Sequence, residues 1–174
     1  MMDKLTQKSQ EALKAAQELA RERSHQELDG AHLALALTRQ TDTIVPTLLQ
    51  RVGVDLASWE SDLNAELDRR AQVEGVSSSD VFLSRDLKQA LDRAEQEAKA
   101  LADDYLSAEH LLLGLLECGA VLRKLFQRHD VERSVLLEKM NEVRGSQRVT
   151  DANPEDKFEA VSYTHLTLPT TPYV

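Results

Sequence analysis

Apolar residues recur at three- and four-residue spacing in several separate stretches of the chain, which is typical of helices that bury one face. The first stretch predicts a helix from about Asp3 to Arg23. Its stripe is formed by small and apolar residues: Leu5, Ser9, Ala12, Leu13, Ala16, Leu19 and Ala20. The next stretch, from Ala31 to Leu37, is almost wholly apolar, which predicts a short buried helix at the centre of the fold.

Helix starts are marked by residues that accept hydrogen bonds from free backbone amides. Asp29, Asp55, Ser84 and Ser107 each stand directly before an apolar stretch, where they predict N-caps. Pro46 fits the first turn of a third helix that Gly53 ends, and the stretch from Gln72 to Val81 fits a linker. The remaining helices are predicted from their stripes: one from Leu56 to Leu67, one from Ser84 to Leu101, and three covering 111–117, 121–128 and 131–143.

The second half of the chain repeats the first at an offset of 78 residues. Ten of the 33 pairs from Leu5/Leu83 to Leu37/Leu115 are identical. The shared residues of the first half are Leu5, Ala12, Leu13, Ala16, Ala20, Leu28, His32, Leu33, Leu35 and Leu37. The sequence therefore predicts an all-α fold in which two pseudo-symmetric four-helix repeats pack into one eight-helix domain.

Composition and charge narrow the classes of protein. An aromatic content of 4% predicts a core of leucine, alanine and valine, which suits helices packed on helices. A net charge of -9 argues against nucleic acids and anionic membranes as partners, because both need a basic surface. A single cysteine and the absence of an apolar leader in the first residues indicate a cytoplasmic protein.

Candidate catalytic and metal-binding residues lack the neighbours that such chemistry needs. Gly114 and Gly119 have phosphate-loop spacing, but no Lys-Ser/Thr pair follows them. His32 and His110 are equivalent in the repeat, yet neither has a second ligand at helical spacing, so each is interpreted as a partly buried histidine that bonds a neighbouring helix end. Cys118 has no catalytic motif around it. We therefore expect no enzyme activity, no metal and no cofactor in this chain.

The chain divides into three parts that differ in amino-acid composition. Residues 1–145 form the predicted domain, with repeat one at 1–71 and repeat two at 79–145. Residues 146–160 are polar and fit an interdomain linker. Residues 161–174 resemble a translated sequencing adaptor more than a natural segment, and we expect them to be a non-native tail.

Two features resemble the Clp N-terminal double repeat of AAA+ unfoldases. The repeats open with Leu5-Thr6 and Leu83-Ser84, and each continues to a helix that contains a His-Leu pair. The resemblance covers residues 1–160. Within this range, the segment from Arg144 to Phe158 is similar to the linker that leads to the first ATPase domain in the ClpB group of protein disaggregases.

The resemblance implies a domain that engages unfolded or aggregated polypeptides and passes them to ATPase rings. The full-length protein would be a homohexamer that uses ATP and magnesium and works with the DnaK chaperone system. The 174-residue chain, which has no Walker A motif, would be monomeric and without ATPase activity. Refolding of proteins under heat or other stress is the implied role.

The resemblance also implies substrate-binding residues, which correspond to Thr6, Asp103 and Glu109. On the residues alone, Asp103 and Glu109 are interpreted as solvated charges near a helix start, where the helix dipole favours carboxylates. Thr6 equally fits a plain residue at the start of a helix. The second repeat carries polar residues near the expected groove, namely Arg93, Glu97 and His110. The groove is therefore expected to be shallow, partly charged and weakly binding.

Two other functions remain open at this point. One is an adaptor- or substrate-docking domain of a protease-associated Clp unfoldase, which shares the double repeat. The other is a free-standing helical protein-interaction module. The linker resemblance is the feature that favours a disaggregase.

Overall fold

The computed structural model describes residues 4–74, 81–145, 149 and 152. In this part of the chain there are eight helices and two short strands. The first repeat contains α1 (Gln7–Glu22), β1 (Glu27–Leu28), α2 (Gly30–Thr38), α3 (Val45–Arg51) and α4 (Leu56–Asp68). The second contains β2 (Phe82–Leu83), α5 (Arg85–Ala100), α6 (Ala108–Leu115), α7 (Gly119–Arg128) and α8 (Arg133–Arg144). The all-α prediction is confirmed.

The helix starts follow the predicted capping residues. The Ser84 hydroxyl caps α5 by accepting a hydrogen bond from the Leu87 amide at 3.0 Å, and Asp55 caps α4 through the Ala57 amide at 3.1 Å. Pro46 lies in the first turn of α3, where its missing N–H leaves no bond unmade. Some boundaries differ from the prediction, because the capping residue rather than the first large apolar residue sets the start: α6 begins at Ala108, three residues before the predicted Leu111.

Helices α2 and α6 form the centre of the core. Every residue of both helices is buried. Helix α6 packs so closely on α5 that a Cβ added at Gly114 would lie 2.3 Å from the carbonyl oxygen of Ala90. Glycine at position 114 is therefore required by the helix contact, which explains why its phosphate-loop spacing carries no chemistry.

Two short parallel pairings relate the repeats by a pseudo-two-fold axis. Leu28 of β1 pairs with Leu83 of β2, and Leu5 forms an isolated bridge with Leu106. Leu5 and Leu83 are equivalent in the repeat, as are Leu28 and Leu106, so each repeat gives the same segment to the other. The periodicity did not predict these strands, because a two-residue strand leaves no alternating pattern.

Aromatic side chains also join the repeats. Trp59 of α4 packs against Phe126 of α7 with ring centroids 4.9 Å apart, and its indole N–H donates to Thr38 at 2.9 Å. His129 meets the Trp59 ring edge-on and bonds the Asp62 carboxylate at 2.7 Å. Trp59 and Phe126 therefore help to fix the two repeats to each other.

The equivalent histidines His32 and His110 cap their own helices. The Nδ1 of His32 accepts from the Asp29 amide at 3.0 Å, and the Nδ1 of His110 accepts from the Ser107 amide at 2.8 Å. Both rings are fully buried. The predicted role at a helix end is therefore correct in kind, but the bonded end belongs to the histidine's own helix and burial is complete rather than partial.

Parts of the predicted domain division fall on residues that the structure does not describe. Most of the linker at 146–160, the whole tail at 161–174 and residues 75–80 between the repeats lie outside the described residues. The boundaries at 1–145, 146–160 and 161–174 therefore stay predictions.

Candidate functional site

An apolar groove lies between the first helices of the two repeats. Its volume is about 570 Å³. Leucines from both repeats line it, together with three polar residues of α1; the full lining is Leu5, Gln10, Leu13, Lys14, Gln17, Leu28, Leu83 and Leu91. We call this surface the leucine groove.

The duplication itself builds the leucine groove. Leu13 and Leu91 are equivalent in the repeat, and so are Leu5 and Leu83, so the groove lies across the pseudo-two-fold axis. Leu13 and Leu83 remain half-buried, whereas Leu5 and Leu91 are buried and form part of the core. The half-buried and the buried leucines therefore both line the space between α1 and α5 with aliphatic carbon.

The polar residues that were expected in the groove lie elsewhere. Arg93, Glu97 and His110 are absent from its lining. Glu97 is buried and bound by Arg133, with the guanidinium Nε 2.9 Å from Glu97 Oε2, and His110 is buried under α5. These three residues therefore add no charge to the leucine groove. The polar side chains that do line the groove belong to α1.

Thr6, the first predicted site residue, is the N-cap of α1. Its hydroxyl accepts from the Ser9 amide at 3.2 Å, and its own amide donates to the Leu106 carbonyl at 3.0 Å. The Ser9 hydroxyl donates to the same carbonyl at 2.9 Å. Thr6 is fully buried, so in this conformation it fixes the start of α1 against the second repeat.

Asp103, the second predicted site residue, receives three hydrogen bonds. They come from His110 Nε2 at 2.7 Å, Arg144 at 2.7 Å and the Val149 amide at 2.8 Å. Burial raises the pKa of Asp103, but these donors outweigh burial and lower the pKa to about 2. The side chain is fully buried, so the carboxylate is ionised and committed to internal partners.

Glu109, the third predicted site residue, lies beside the same arginine. Its Oε2 is 3.6 Å from the guanidinium of Arg144, and its side chain is fully buried. Within the described residues neither carboxylate oxygen of Glu109 accepts a hydrogen bond. The structure therefore brings Asp103 and Glu109 together on Arg144, while Thr6 lies at the neighbouring Leu5–Leu106 bridge.

Both repeats also bind backbone of the predicted linker. The Val149 carbonyl accepts from the amides of Asp104 at 2.8 Å and Tyr105 at 3.3 Å, and the Val149 side chain is fully buried. The Ala152 carbonyl accepts from the Gln7 amide at 2.8 Å. Sequence reasoning missed this docking, because a polar, proline-containing stretch carries no signal of where its backbone bonds.

The sequence pattern includes the groove leucines but predicts a different role for them. Leu13 and Leu91 are among the identities that revealed the repeat. Their periodic position indicates the buried stripe of α1 and α5, and periodicity alone does not separate a core residue from one at the edge of a groove.

The remaining candidates for chemistry have structural explanations. Burial, together with the carboxylates of Asp29 and Asp86, raises the pKa of the Cys118 thiol to about 12, which disfavours a thiolate. Across residues 4–74, 81–145, 149 and 152, no group of three or more His, Cys, Asp or Glu side chains could hold a metal ion. Among the described helices none is long and apolar enough to cross a membrane.

Known proteins resemble the chain in both sequence and structure. Chaperone protein ClpB of Nitratidesulfovibrio vulgaris is 40% identical over 162 residues, which cover 91% of this chain and 19% of that protein. Chaperone protein ClpB of Bacillus cereus is 36% identical over 162 residues, covering 92% and 19%. The chain thus spans about a fifth of the length of these curated relatives.

Solved structures share the fold at lower identity. The Hsp104 N-terminal domain from Candida albicans has a TM-score of 0.76 at 22% identity, covering 87% of this chain and 98% of that one. The ClpV N-domain in complex with a VipB peptide has a TM-score of 0.55 at 22% identity, covering 92% and 88%. The family described as Clp repeat (R) N-terminal domain matches residues 4–129. The chain therefore belongs to the Clp repeat N-terminal domain family.

Proposed function

We propose that the leucine groove binds apolar segments of unfolded or aggregated polypeptides, and that the chain is the substrate-engaging N-terminal domain of a ClpB-type disaggregase. The observation that carries the proposal is a groove of about 570 Å³ whose leucines come from both repeats. Such a surface is large enough for a few side chains of an extended segment. The polypeptide binding stated for the ClpV N-domain complex supports this use of the fold.

The composition of the groove favours weak, unselective binding. Its leucines attract apolar side chains of any sequence, with about 25 cal/mol per Å² of apolar surface buried. One wall consists of exposed polar residues of α1, namely Gln10, Lys14 and Gln17. These side chains keep water at the edge of the groove, so a bound segment is released readily. Transient capture of this kind suits transfer to a motor.

The rest of the assembly is part of the same proposal. Similarity to ClpB extends over 162 residues, beyond the 4–129 match of the family. We infer that the full-length protein is a cytoplasmic homohexamer that uses ATP and magnesium in its ATPase rings and cooperates with the DnaK system. The isolated chain is then a monomer without ATPase activity.

Thr6, Asp103 and Glu109 enter the proposal as positioning residues for binding. All three are fully or almost fully buried, so Thr6 and Asp103 act through the backbone that they hold and Glu109 acts through Arg144. Thr6 sets the start of α1, one wall of the leucine groove, and Asp103 fixes Val149. Their replacement by alanine should weaken substrate binding and lower stability together, whereas direct contact would weaken binding at unchanged stability.

A charge placed in the groove tests the proposal. Leu13→Asp should weaken binding of reduced, carboxymethylated α-lactalbumin about tenfold, because desolvating a carboxylate opposes apolar contact. Fluorescence anisotropy with the labelled unfolded protein measures the affinity. The matched control is Leu137→Asp, which places the same charge at a half-buried leucine of α8 outside the groove. Equal affinities of Leu13→Asp and the unsubstituted chain, or equal losses in both variants, would contradict the proposal.

A further inference from the structure

The first repeat has a pocket beside its histidine pair, at the position equivalent to the one where the second repeat binds Val149. Its volume is about 230 Å³. The lining comes from the β1 segment, the start of α2, the segment after α4 and β2: His25, Gln26, Glu27, His32, Arg70, Ala71, Val73 and Phe82. We call it the first-repeat pocket, and it is separate from the leucine groove.

The repeat relates the first-repeat pocket to a site that is filled in the second repeat. At an offset of 78 residues, Gln26 and Glu27 correspond to Asp104 and Tyr105, whose amides both donate to the Val149 carbonyl. Within the described part of the chain, the amides of Gln26 and Glu27 donate to no acceptor, and both residues are exposed. Two backbone donors are therefore available where the other repeat uses them to bind a carbonyl.

Apolar side chains stand beside these donors. Phe82 is 57% exposed and Val73 is 37% exposed, and these are two of the three large apolar side chains that the described residues leave exposed. In the second repeat the side chain of Val149 is fully buried beside the equivalent amides. An aliphatic side chain next to a bound carbonyl would likewise cover Phe82 and Val73 and remove them from water.

The charges around the first-repeat pocket favour a neutral ligand. Arg70 is already bound by the carboxylate of Asp29 at 2.6 Å and by that of Glu66 at 3.3 Å. Glu27 adds a further carboxylate to the lining. His25 and His32 bond each other at 2.9 Å and are both buried. A free carboxylate therefore gains little here, whereas a peptide carbonyl matches the two amide donors.

We propose that the first-repeat pocket is a second docking site for unfolded polypeptide. An extended segment places a backbone carbonyl on the amides of Gln26 and Glu27 and an aliphatic side chain against Phe82 and Val73. Backbone recognition makes this site tolerant of sequence, with a preference for a small aliphatic residue such as valine. The inference rests on the proposed function, because the occupant is the same class of substrate that the leucine groove binds.

The test uses a defined peptide and the amide resonances of the chain. A capped nine-residue peptide with the sequence of residues 145–153 is added to the ¹⁵N-labelled protein. We expect the resonances of Gln26 and Glu27 to shift with saturation. Phe82→Ala should weaken the fitted affinity about fivefold, because part of the apolar contact is lost, and a peptide with aspartate in place of its valine should bind more weakly still.

The control is Val121→Ala, which shortens another exposed valine that lies outside the first-repeat pocket and should leave the affinity unchanged. Unshifted Gln26 and Glu27 resonances at millimolar peptide would overturn the inference, as would shifts confined to Asp104 and Tyr105 or to the leucine groove. The proposed function is tested by a different experiment, the effect of Leu13→Asp on the binding of an unfolded protein, so the two proposals can be contradicted independently.

Discussion

The two repeats place a histidine in the same position but give it different partners. His32 and His110 each accept the amide of their helix cap, and each directs Nε2 at the residue seven positions earlier. In the first repeat that residue is His25, and two rings meet without a formal charge. In the second it is Asp103, whose carboxylate also binds Arg144 and the Val149 amide. The backbone geometry survived the duplication, while the charge diverged.

The difference has consequences for acid stability. Burial, together with the nearby His25 and Arg70, lowers the pKa of His32 to about 4. Because an unfolded histidine titrates near 6.5, the first repeat should lose stability as the pH falls from about 6.5 to about 4. The pKa of Asp103 is lowered to about 2, so its contribution is present above about 4 and is lost as the pH falls towards 2. The stability contributions of His32 and Asp103 are therefore lost in different pH ranges.

The largest expected effect is that of removing the Asp103 carboxylate. Asp103→Ala leaves the guanidinium of Arg144, which is 6% exposed, without this carboxylate and takes the acceptor from the Val149 amide. Breaking a buried ion pair from one side typically costs about 3–5 kcal/mol, so we expect a loss of that size in the free energy of unfolding. Urea unfolding followed by circular dichroism at pH 7 measures it.

Two further variants make this test specific. Asp104→Ala removes the neighbouring exposed carboxylate and should change stability by less than about 0.5 kcal/mol. Adding Arg144→Met together with Glu109→Gln to Asp103→Ala should recover part of the loss, because no charge of this buried group is then left uncompensated. If Asp103→Ala lowers the free energy of unfolding by less than about 1 kcal/mol, the buried ion pair of the second repeat does not stabilise the fold as expected.

The sequence predicted much of the fold, because helices leave a local pattern of apolar and capping residues and the repeat leaves matching residues at a fixed offset. Leu13 and Leu91 revealed the duplication, and Ser84 and Pro46 marked helix starts that the structure confirms. The partners of Asp103 were out of reach, since Val149 lies 46 residues away in a stretch without periodicity. The family resemblance implied a substrate-binding role for Asp103, but burial and the resulting contacts of a residue depend on packing that no local pattern records.

A smaller effect is expected from giving the first repeat the partner that the second uses. In His25→Asp the new carboxylate accepts from His32 Nε2 and raises the pKa of that histidine. The unsubstituted chain should lose about 2 kcal/mol between pH 7.5 and pH 5 through His32, given its folded pKa of about 4. In the variant this slope should become shallower, whatever its stability at pH 7.5.

His25→Asn is the matched control for this slope, because it replaces the ring with a neutral side chain of similar size to aspartate. Its stability should still fall between pH 7.5 and pH 5. Equal slopes in the aspartate and asparagine variants, measured by urea unfolding across the pH range, would exclude His32 as the source of the acid sensitivity.

The smallest effect is expected at a second difference between the repeats, where Leu19 of α1 is replaced by Glu97 in α5. Glu97 is buried and bound by Arg133, as Asp103 is by Arg144, yet the Arg133 side chain is 43% exposed. In Glu97→Leu the freed guanidinium turns into water, and a leucine that the first repeat already accommodates replaces a desolvated carboxylate. The free energy of unfolding should therefore change by less than about 1 kcal/mol. A loss as large as that of Asp103→Ala would mean that exposure of the arginine does not set the cost of removing its partner.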